Sequence, residues 1–158
     1  QILSSTSDGL TIVIVPTVAL ALDQFQAAKY NLINQEGIFC YRGEQSEKER
    51  SEIIKALNTR KAKVLFTSPE AILKNPVLHK ILNKAAEDKY LCNVVVDEAH
   101  IVPDWGVFFR PDFQIFSIVL RKWRSESENY LRTYLLSAER LNSQSYARYA
   151  ITEVYPFQ

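Results

Sequence analysis

Short, uninterrupted apolar runs alternate along this chain with longer segments that carry apolar residues at helical spacing. The runs that indicate strands are residues 11–15, 38–41, 63–68, 93–97 and 133–138, with residues 151–155 as a weaker candidate. A strand that is apolar on both faces is typical of a parallel sheet, because crossover helices cover both faces. The alternation therefore predicts an α/β fold in which a parallel β-sheet carries helices on both faces.

The segments between the strands carry signals for the starts of helices. Residues 18–32 place apolar side chains at helical spacing after Pro16. Ser46 opens a Ser-x-x-Glu capping box, which predicts a helix from the next residue onward. Ser68 precedes a proline and an acid, which is the pattern of an N-cap and a first turn. That helix is expected to break near Pro76 and to resume as far as about residue 86.

Composition and charge exclude several classes of protein. The 158 residues suit one domain, and 47% apolar with 23% charged residues is ordinary for a globular chain. A net charge of +1 means that any nucleic-acid site must be a local patch. No apolar run approaches membrane-spanning length. Cys40 and Cys92 match no metal-binding spacing, which indicates free thiols in a reducing compartment.

Two adjacent acids end the most apolar run. Ligands bind outside the carboxyl ends of parallel strands, so Asp97 is expected to present its carboxylate at that edge of the sheet. A hard carboxylate oxygen there can help to hold Mg²⁺, often through water. The neighbouring Glu98 can orient or deprotonate an attacking water. The alternative is that the two acids are only the polar end of a strand.

The acids open the tetrapeptide DEAH, residues 97–100, which resembles the second Walker-type motif of superfamily 2 helicases. The following PDWGVFFRPDF, residues 103–113, resembles the aromatic-rich loop of RecQ-type DNA helicases. The resemblance implies a RecA-like fold of the P-loop NTPase type, with ATP and Mg²⁺ as cofactors. It also implies catalytic roles for Asp97, Glu98 and His100, with Asp97 as the metal ligand.

In the RecQ family the aromatic-rich loop senses single-stranded DNA and couples it to ATP hydrolysis. Trp105, Phe108 and Phe109 can stack on bases of any identity. Arg110 can contact a DNA phosphate or the nucleotide site. At the position where the family usually has His-Asp, this chain has Val107 followed by Phe108.

The alternative for this region is a hydrophobic segment that packs on its own domain. We favour packing for Phe113, Phe116 and Trp123, and contact with DNA or nucleotide for Trp105 and Arg110. Aromatic side chains serve both purposes, because they bury large areas in cores and stack well on bases.

Two more segments resemble helicase motifs that contact the DNA backbone. Residues 14–24 resemble motif Ia, which implies DNA contacts for Thr17 and Gln24. Residues 66–73 resemble motif Ib, which implies a contact through Ser68. Amides at the start of each following helix can bind a phosphate. An ordinary capped helix without a ligand is the alternative for each segment.

A third segment, residues 134–139, resembles motif III, which links hydrolysis to strand separation. Ser137 and Ala138 match the family's Ser/Thr-Ala-Thr pattern, and the resemblance makes them the coupling residues. Glu139 replaces the final threonine, and an ionised glutamate cannot donate the hydrogen bond that a hydroxyl would.

The chain contains no GxxxxGK[ST] phosphate loop and no methionine. The family order places that loop upstream of residue 1, and the second RecA-like domain downstream of residue 158. We therefore expect residues 1–158 to be a single partial RecA-like ATP-binding domain, from motif Ia to motif III, within a longer protein. The isolated fragment is expected not to hydrolyse ATP.

The leading interpretation is a RecQ-like, ATP-dependent 3′-to-5′ DNA helicase of the cytoplasm, or of the nucleus in a eukaryote. Its implied partners are single-stranded DNA, duplex junctions and the second RecA-like domain of the same polypeptide. One alternative is an RNA helicase or translocase of the same superfamily. The other is a non-catalytic RecA-like module that binds nucleic acid or protein, which the departures at Glu139 and at Val107–Phe108 keep open.

Overall fold

A parallel β-sheet forms the centre of the computed structural model, which describes residues 9–31, 36–97, 111–137 and 153–156. The described strands are β1 (Leu10–Ile14), β2 (Ile38–Cys40), β3 (Val64–Thr67), β4 (Leu91–Val96), β5 (Arg132–Ser137) and β6 (Glu153–Pro156). They form one six-stranded sheet in the order β2-β3-β1-β4-β5-β6. Every pairing is parallel, so the predicted sheet is confirmed.

Helices connect the strands. The described helices are α1 (Val18–Asn31), α2 (Glu47–Asn58), α3 (Pro69–Lys74), α4 (Pro76–Glu87) and α5 (Pro111–Glu126). The first four begin where the sequence predicts, and α1 and α4 also end within about one residue of the predicted ends. None of the helices among the described residues is long and apolar enough to cross a membrane.

The helix caps explain why these helix boundaries could be predicted from the sequence. Ser46 and Glu49 form the complete capping box of α2. The Ser68 hydroxyl accepts from the amide of Ala71 at 3.2 Å at the start of α3. Asn75 ends α3 and also caps α4, since its side-chain oxygen accepts from the amide of Leu78 at 2.9 Å. The expected break near Pro76 is thus a shared cap between two helices.

Helix α5 is a difference from the sequence analysis, which assigned residues 103–113 to a loop and gave no helix after it. The helix begins at Pro111 and carries Asp112 in its first turn. Proline suits the first helical position because it has no amide hydrogen to leave unpaired, and an acid there interacts favourably with the helix dipole. The last three residues of the expected loop therefore belong to a helix.

Alternate residues of the strands enter two separate hydrophobic cores. On one face of the sheet, Ile12 and Ile14 of β1 pack with side chains from α2, α3, α4 and α5. On the other face, Val13 and Val15 pack with α1. Phe116 and Trp123 are fully buried, which confirms that they pack on their own domain, whereas the side chain of Phe113 lies outside the described residues.

Candidate active site at the carboxyl edge of the sheet

Three strand ends meet at the carboxyl edge, and backbone hydrogen bonds fix their alignment. The amide of Val15, just after β1, donates to the carbonyl of Thr67 at the end of β3, at 3.0 Å. The amide of Asp97, just after β4, donates to the carbonyl of Ile14 at 2.8 Å. Asp97 therefore lies beside the end of β1, at the edge where parallel sheets bind ligands.

The carboxylate of Asp97 is held by a helix on the neighbouring connection. Asp97 is 4% exposed, and its Oδ2 atom accepts a hydrogen bond from Gln24 Nε2 at 3.1 Å. Gln24 lies on α1, which follows β1. A buried carboxylate requires polar partners, because removing its charge from water is otherwise unfavourable. The structure thus brings together one predicted metal ligand and one predicted DNA-binding residue.

Thr17 caps the helix that carries Gln24. Its hydroxyl oxygen accepts from the amide of Leu20 at 3.2 Å, and the first turn of α1 contains no acid. The positive end of the helix dipole is therefore not offset by an acidic side chain of that turn, which suits an anion. The contact of Thr17 with a DNA phosphate stays a prediction.

Ser68 has a different environment from Thr17. It is buried, its hydroxyl caps α3, and Glu70 adds a negative charge in the first turn of that helix. Glu70 also pairs with Lys74 one turn later. The geometry thus gives Ser68 a structural role, and its contact with DNA stays a prediction.

A set of polar contacts behind the edge was missed by the sequence analysis. The Tyr41 amide donates to the carbonyl of Phe66 at 2.9 Å, and the Thr67 hydroxyl donates to the carbonyl of Tyr41 at 3.2 Å. Asn75 donates to the Tyr41 hydroxyl oxygen. Burial raises the pKa of Tyr41, although Arg50 nearby opposes the shift, so the phenol stays protonated. The sequence predicts the position of Tyr41 at the end of the second strand, but its hydrogen-bond partners depend on how the elements pack.

The two cysteines are free thiols, with Cys40 buried and Cys92 partly buried. Burial raises the pKa of the Cys40 thiol, with Arg42 opposing, and burial also raises the pKa of Cys92. A raised pKa reduces the thiolate fraction and hence the reactivity of each sulfur. Among the described residues no group of three His, Cys, Asp or Glu side chains could hold a metal ion.

The motif III strand lies beside the strand that ends in Asp97. Val96 of β4 pairs with Leu135 of β5, and Ser137 is the last residue of β5. The side chain of Ser137 lies outside what the structure describes. The other predicted site residues that lie outside the described ranges are Glu98, His100, Trp105, Phe108, Phe109, Arg110 and Ala138.

Comparison with known proteins assigns the chain to a family. Residues 1–138 match the model of the DEAD/DEAH box helicase family. The ATP-dependent DNA helicase hus2/rqh1 of Schizosaccharomyces pombe is 32% identical over 121 residues, which cover 75% of this chain and 9% of that protein. The ATP-dependent DNA helicase RecQ of Synechocystis is 28% identical over 141 residues, 89% of this chain and 28% of that protein.

Among solved structures, the Hef helicase domain of Pyrococcus furiosus matches with a TM-score of 0.59 and 19% identity, over 97% of this chain and 29% of that chain. This likeness confirms the RecA-like α/β fold. The chain spans less than a third of the length of the two curated relatives, and their similarity confirms the RecQ-like resemblance. The chain belongs to the DEAD/DEAH box helicase family.

Proposed function

We propose that this chain is the first motor domain of a RecQ-like, ATP-dependent DNA helicase. The whole protein would couple ATP hydrolysis to movement along single-stranded DNA and to unwinding of duplex junctions. The single observation that carries the proposal is the position of Asp97, buried at the carboxyl edge and hydrogen-bonded to Gln24 of the motif Ia helix. That contact joins the two functional segments that the sequence pattern separates.

Asp97 fits the task of holding Mg²⁺ together with a nucleotide. Mg²⁺ prefers oxygen, keeps several waters, and is usually held by one or two carboxylates plus phosphate oxygens. The buried carboxylate of Asp97 at a strand end can supply one such oxygen. When bound, the ion would neutralise charge on the phosphates. Glu98 would orient the attacking water and take its proton, and His100 would complete the motif.

DNA would lie on the same edge of the domain. The first amides of α1 and the hydroxyls of Thr17 and Ser68 would contact phosphates. Trp105, Phe108 and Phe109 of the aromatic-rich loop would stack on bases, with Arg110 reaching a phosphate or the nucleotide. Contacts of these two kinds suit a motor that moves along DNA, since neither base stacking nor phosphate contact depends on base identity.

Coupling would involve motif III and parts of the longer protein. Ser137 and Ala138 would respond to hydrolysis from the strand beside Asp97. A phosphate loop would bind the nucleotide, and a second RecA-like domain of the same polypeptide would supply an arginine to the transition state. The protein would work where DNA is present, in the cytoplasm or, in a eukaryote, the nucleus.

The test uses the full-length protein with Glu98→Gln. The substitution keeps the side-chain shape but removes the base, so ATP turnover in the presence of single-stranded DNA should fall by at least about 100-fold. Affinity for single-stranded DNA, measured by fluorescence anisotropy, should change less than about threefold. Glu47→Gln, at an exposed position in α2, is the matched control and should retain turnover.

Three outcomes would count against the proposal. Normal turnover in Glu98→Gln would refute the assignment of the base. Stronger stimulation of the wild-type ATPase by RNA than by DNA would favour the RNA helicase alternative. DNA binding without ATP turnover in the wild-type full-length protein would favour the non-catalytic module.

A further inference from the structure

We infer that Gln24 is a positioning residue for the carboxylate of Asp97, an inference that rests on the proposed function. The sequence pattern placed Gln24 among the DNA contacts. In the structure its side-chain amide donates to the acid, from Nε2 to Oδ2 at 3.1 Å, across 73 residues of sequence. The contact of Gln24 with DNA stays a prediction. The inferred task of Gln24 is to orient the metal ligand, whereas Asp97 itself would meet the ion.

The geometry around Asp97 fixes both its backbone and its side chain. The backbone amide is bonded to the carbonyl of Ile14 in β1, and one carboxylate oxygen is bonded to Gln24 in α1. A carboxylate is planar, so fixing one oxygen restricts where the other can lie. The bond of 3.1 Å lies in the ordinary range for N–H···O hydrogen bonds and ties the orientation of the acid to the position of α1. The amide is therefore able to hold the rotamer of a buried acid.

Helix α1 links this contact to the proposed DNA site. Gln24 lies six residues beyond Val18, the first residue of α1, which corresponds to about 9 Å along the helix axis. The N-terminal turn of the same helix is capped by Thr17 and contains no acid, and its first amides are the proposed contact with a phosphate. One rigid element thus carries a proposed DNA contact at its end and the partner of the metal ligand on its side.

The first experiment measures Mg²⁺ dependence in the full-length protein. Gln24→Leu removes the amide at nearly constant volume. Loss of a residue that orients a metal ligand typically weakens metal affinity by 10-fold or more, so the Mg²⁺ concentration for half-maximal binding of a fluorescent ATP analogue should rise about tenfold. The value of kcat should fall by a larger factor than the factor by which the KM for ATP changes. Gln26→Leu, at an exposed position on the same helix, should match the wild type.

The second experiment needs no activity and uses the 158-residue chain. Urea denaturation is compared for Gln24→Leu, Asp97→Ala and the double variant. The decrease in midpoint caused by Gln24→Leu should disappear in the Asp97→Ala background. An equal decrease in both backgrounds, or unchanged Mg²⁺ dependence in Gln24→Leu, would overturn the inference. A different outcome would overturn only the proposed function. In that case Gln24→Leu weakens Mg²⁺-nucleotide binding as expected, but the wild-type protein shows no ATP turnover stimulated by DNA.

Discussion

Trp123 anchors helix α5 to the domain, and its replacement by alanine should lower the free energy of unfolding by about 3–5 kcal/mol. The side chain is 0% exposed. Its ring packs edge-on against Phe116, with ring centroids 6.0 Å apart, and against His79 at 6.4 Å. Its ring N–H donates to the side-chain oxygen of Asn83 on α4. The alanine variant loses the buried area, both ring contacts and the hydrogen bond, which places it in the range for large-to-small core substitutions.

Trp123→Phe separates the hydrogen bond from the packing. The smaller ring keeps much of the apolar contact but leaves the Asn83 oxygen without its donor. Asn83 is only half-buried, so water can replace the lost partner. The loss of this hydrogen bond should therefore lower the free energy of unfolding by about 1 kcal/mol, and the smaller volume of the ring adds a separate loss. A double-mutant cycle with Asn83→Ala should give a coupling energy of about 0.5–1.5 kcal/mol.

The assay is urea denaturation followed by far-ultraviolet circular dichroism, because fluorescence loses a reporter when Trp123 is replaced. Ile118→Ala on the same helix is the control, since Ile118 is 67% exposed and should change stability by less than about 0.5 kcal/mol. If Trp123→Ala unfolds at the same urea concentration as Ile118→Ala, α5 does not pack on the sheet as described. Trp123→Phe also leaves Trp105 as the only tryptophan, so its emission should change when single-stranded DNA is added.

Three further substitutions test local features of the fold. Ser46→Ala breaks the capping box of α2 and should cost about 1 kcal/mol, measured as a lower Tm. Burial raises the pKa of Tyr90 to about 12, so the unfolded phenol ionises first and stability should fall from about pH 10 to pH 12. Tyr90→Phe should reduce this decline in alkaline urea titrations, and the part that remains includes the contribution of Tyr41, whose pKa is also raised. Gly9→Ala would place a Cβ atom 2.1 Å from the Cys92 sulfur, so the variant should be destabilised by about 1–3 kcal/mol, and Cys92→Ala should restore most of the lost stability in the same assay.

Most of the fold was predictable because its signals are local. Burial on both faces leaves an uninterrupted apolar run, and each predicted strand lies within about two residues of the observed one. Caps at Ser46 and Ser68 depend on residues three positions apart, so they also appear in the sequence. Helix α5 was missed although Pro111 and Asp112 form a start signal, because the aromatic-rich pattern that contains them was interpreted as a loop.

The contact between Gln24 and Asp97 could not be predicted from the sequence. Periodicity tells which side chains of one element share a face, but not which element lies beside it. The pairing depends on β1 and β4 being neighbours, with Ile14 opposite Val96, and on α1 packing on the sheet face that carries Val13 and Val95. The motifs imply a separate role for each residue, and only the strand order brings the two side chains within hydrogen-bonding distance.

The same strand order explains why effects at Trp123 and at Gln24 should differ. Residues 98–110 connect Asp97 to α5, so the described fold fixes both flanks of the segment that carries Glu98 and the aromatic-rich loop. Loosening α5 through Trp123 would alter one flank and should reduce ATP turnover and DNA affinity together. Loss of the Gln24 amide leaves both flanks in place and should alter Mg²⁺ dependence without a matching loss of DNA affinity. A common loss of both properties in the two variants would mean that the amide supports the fold rather than the metal ligand.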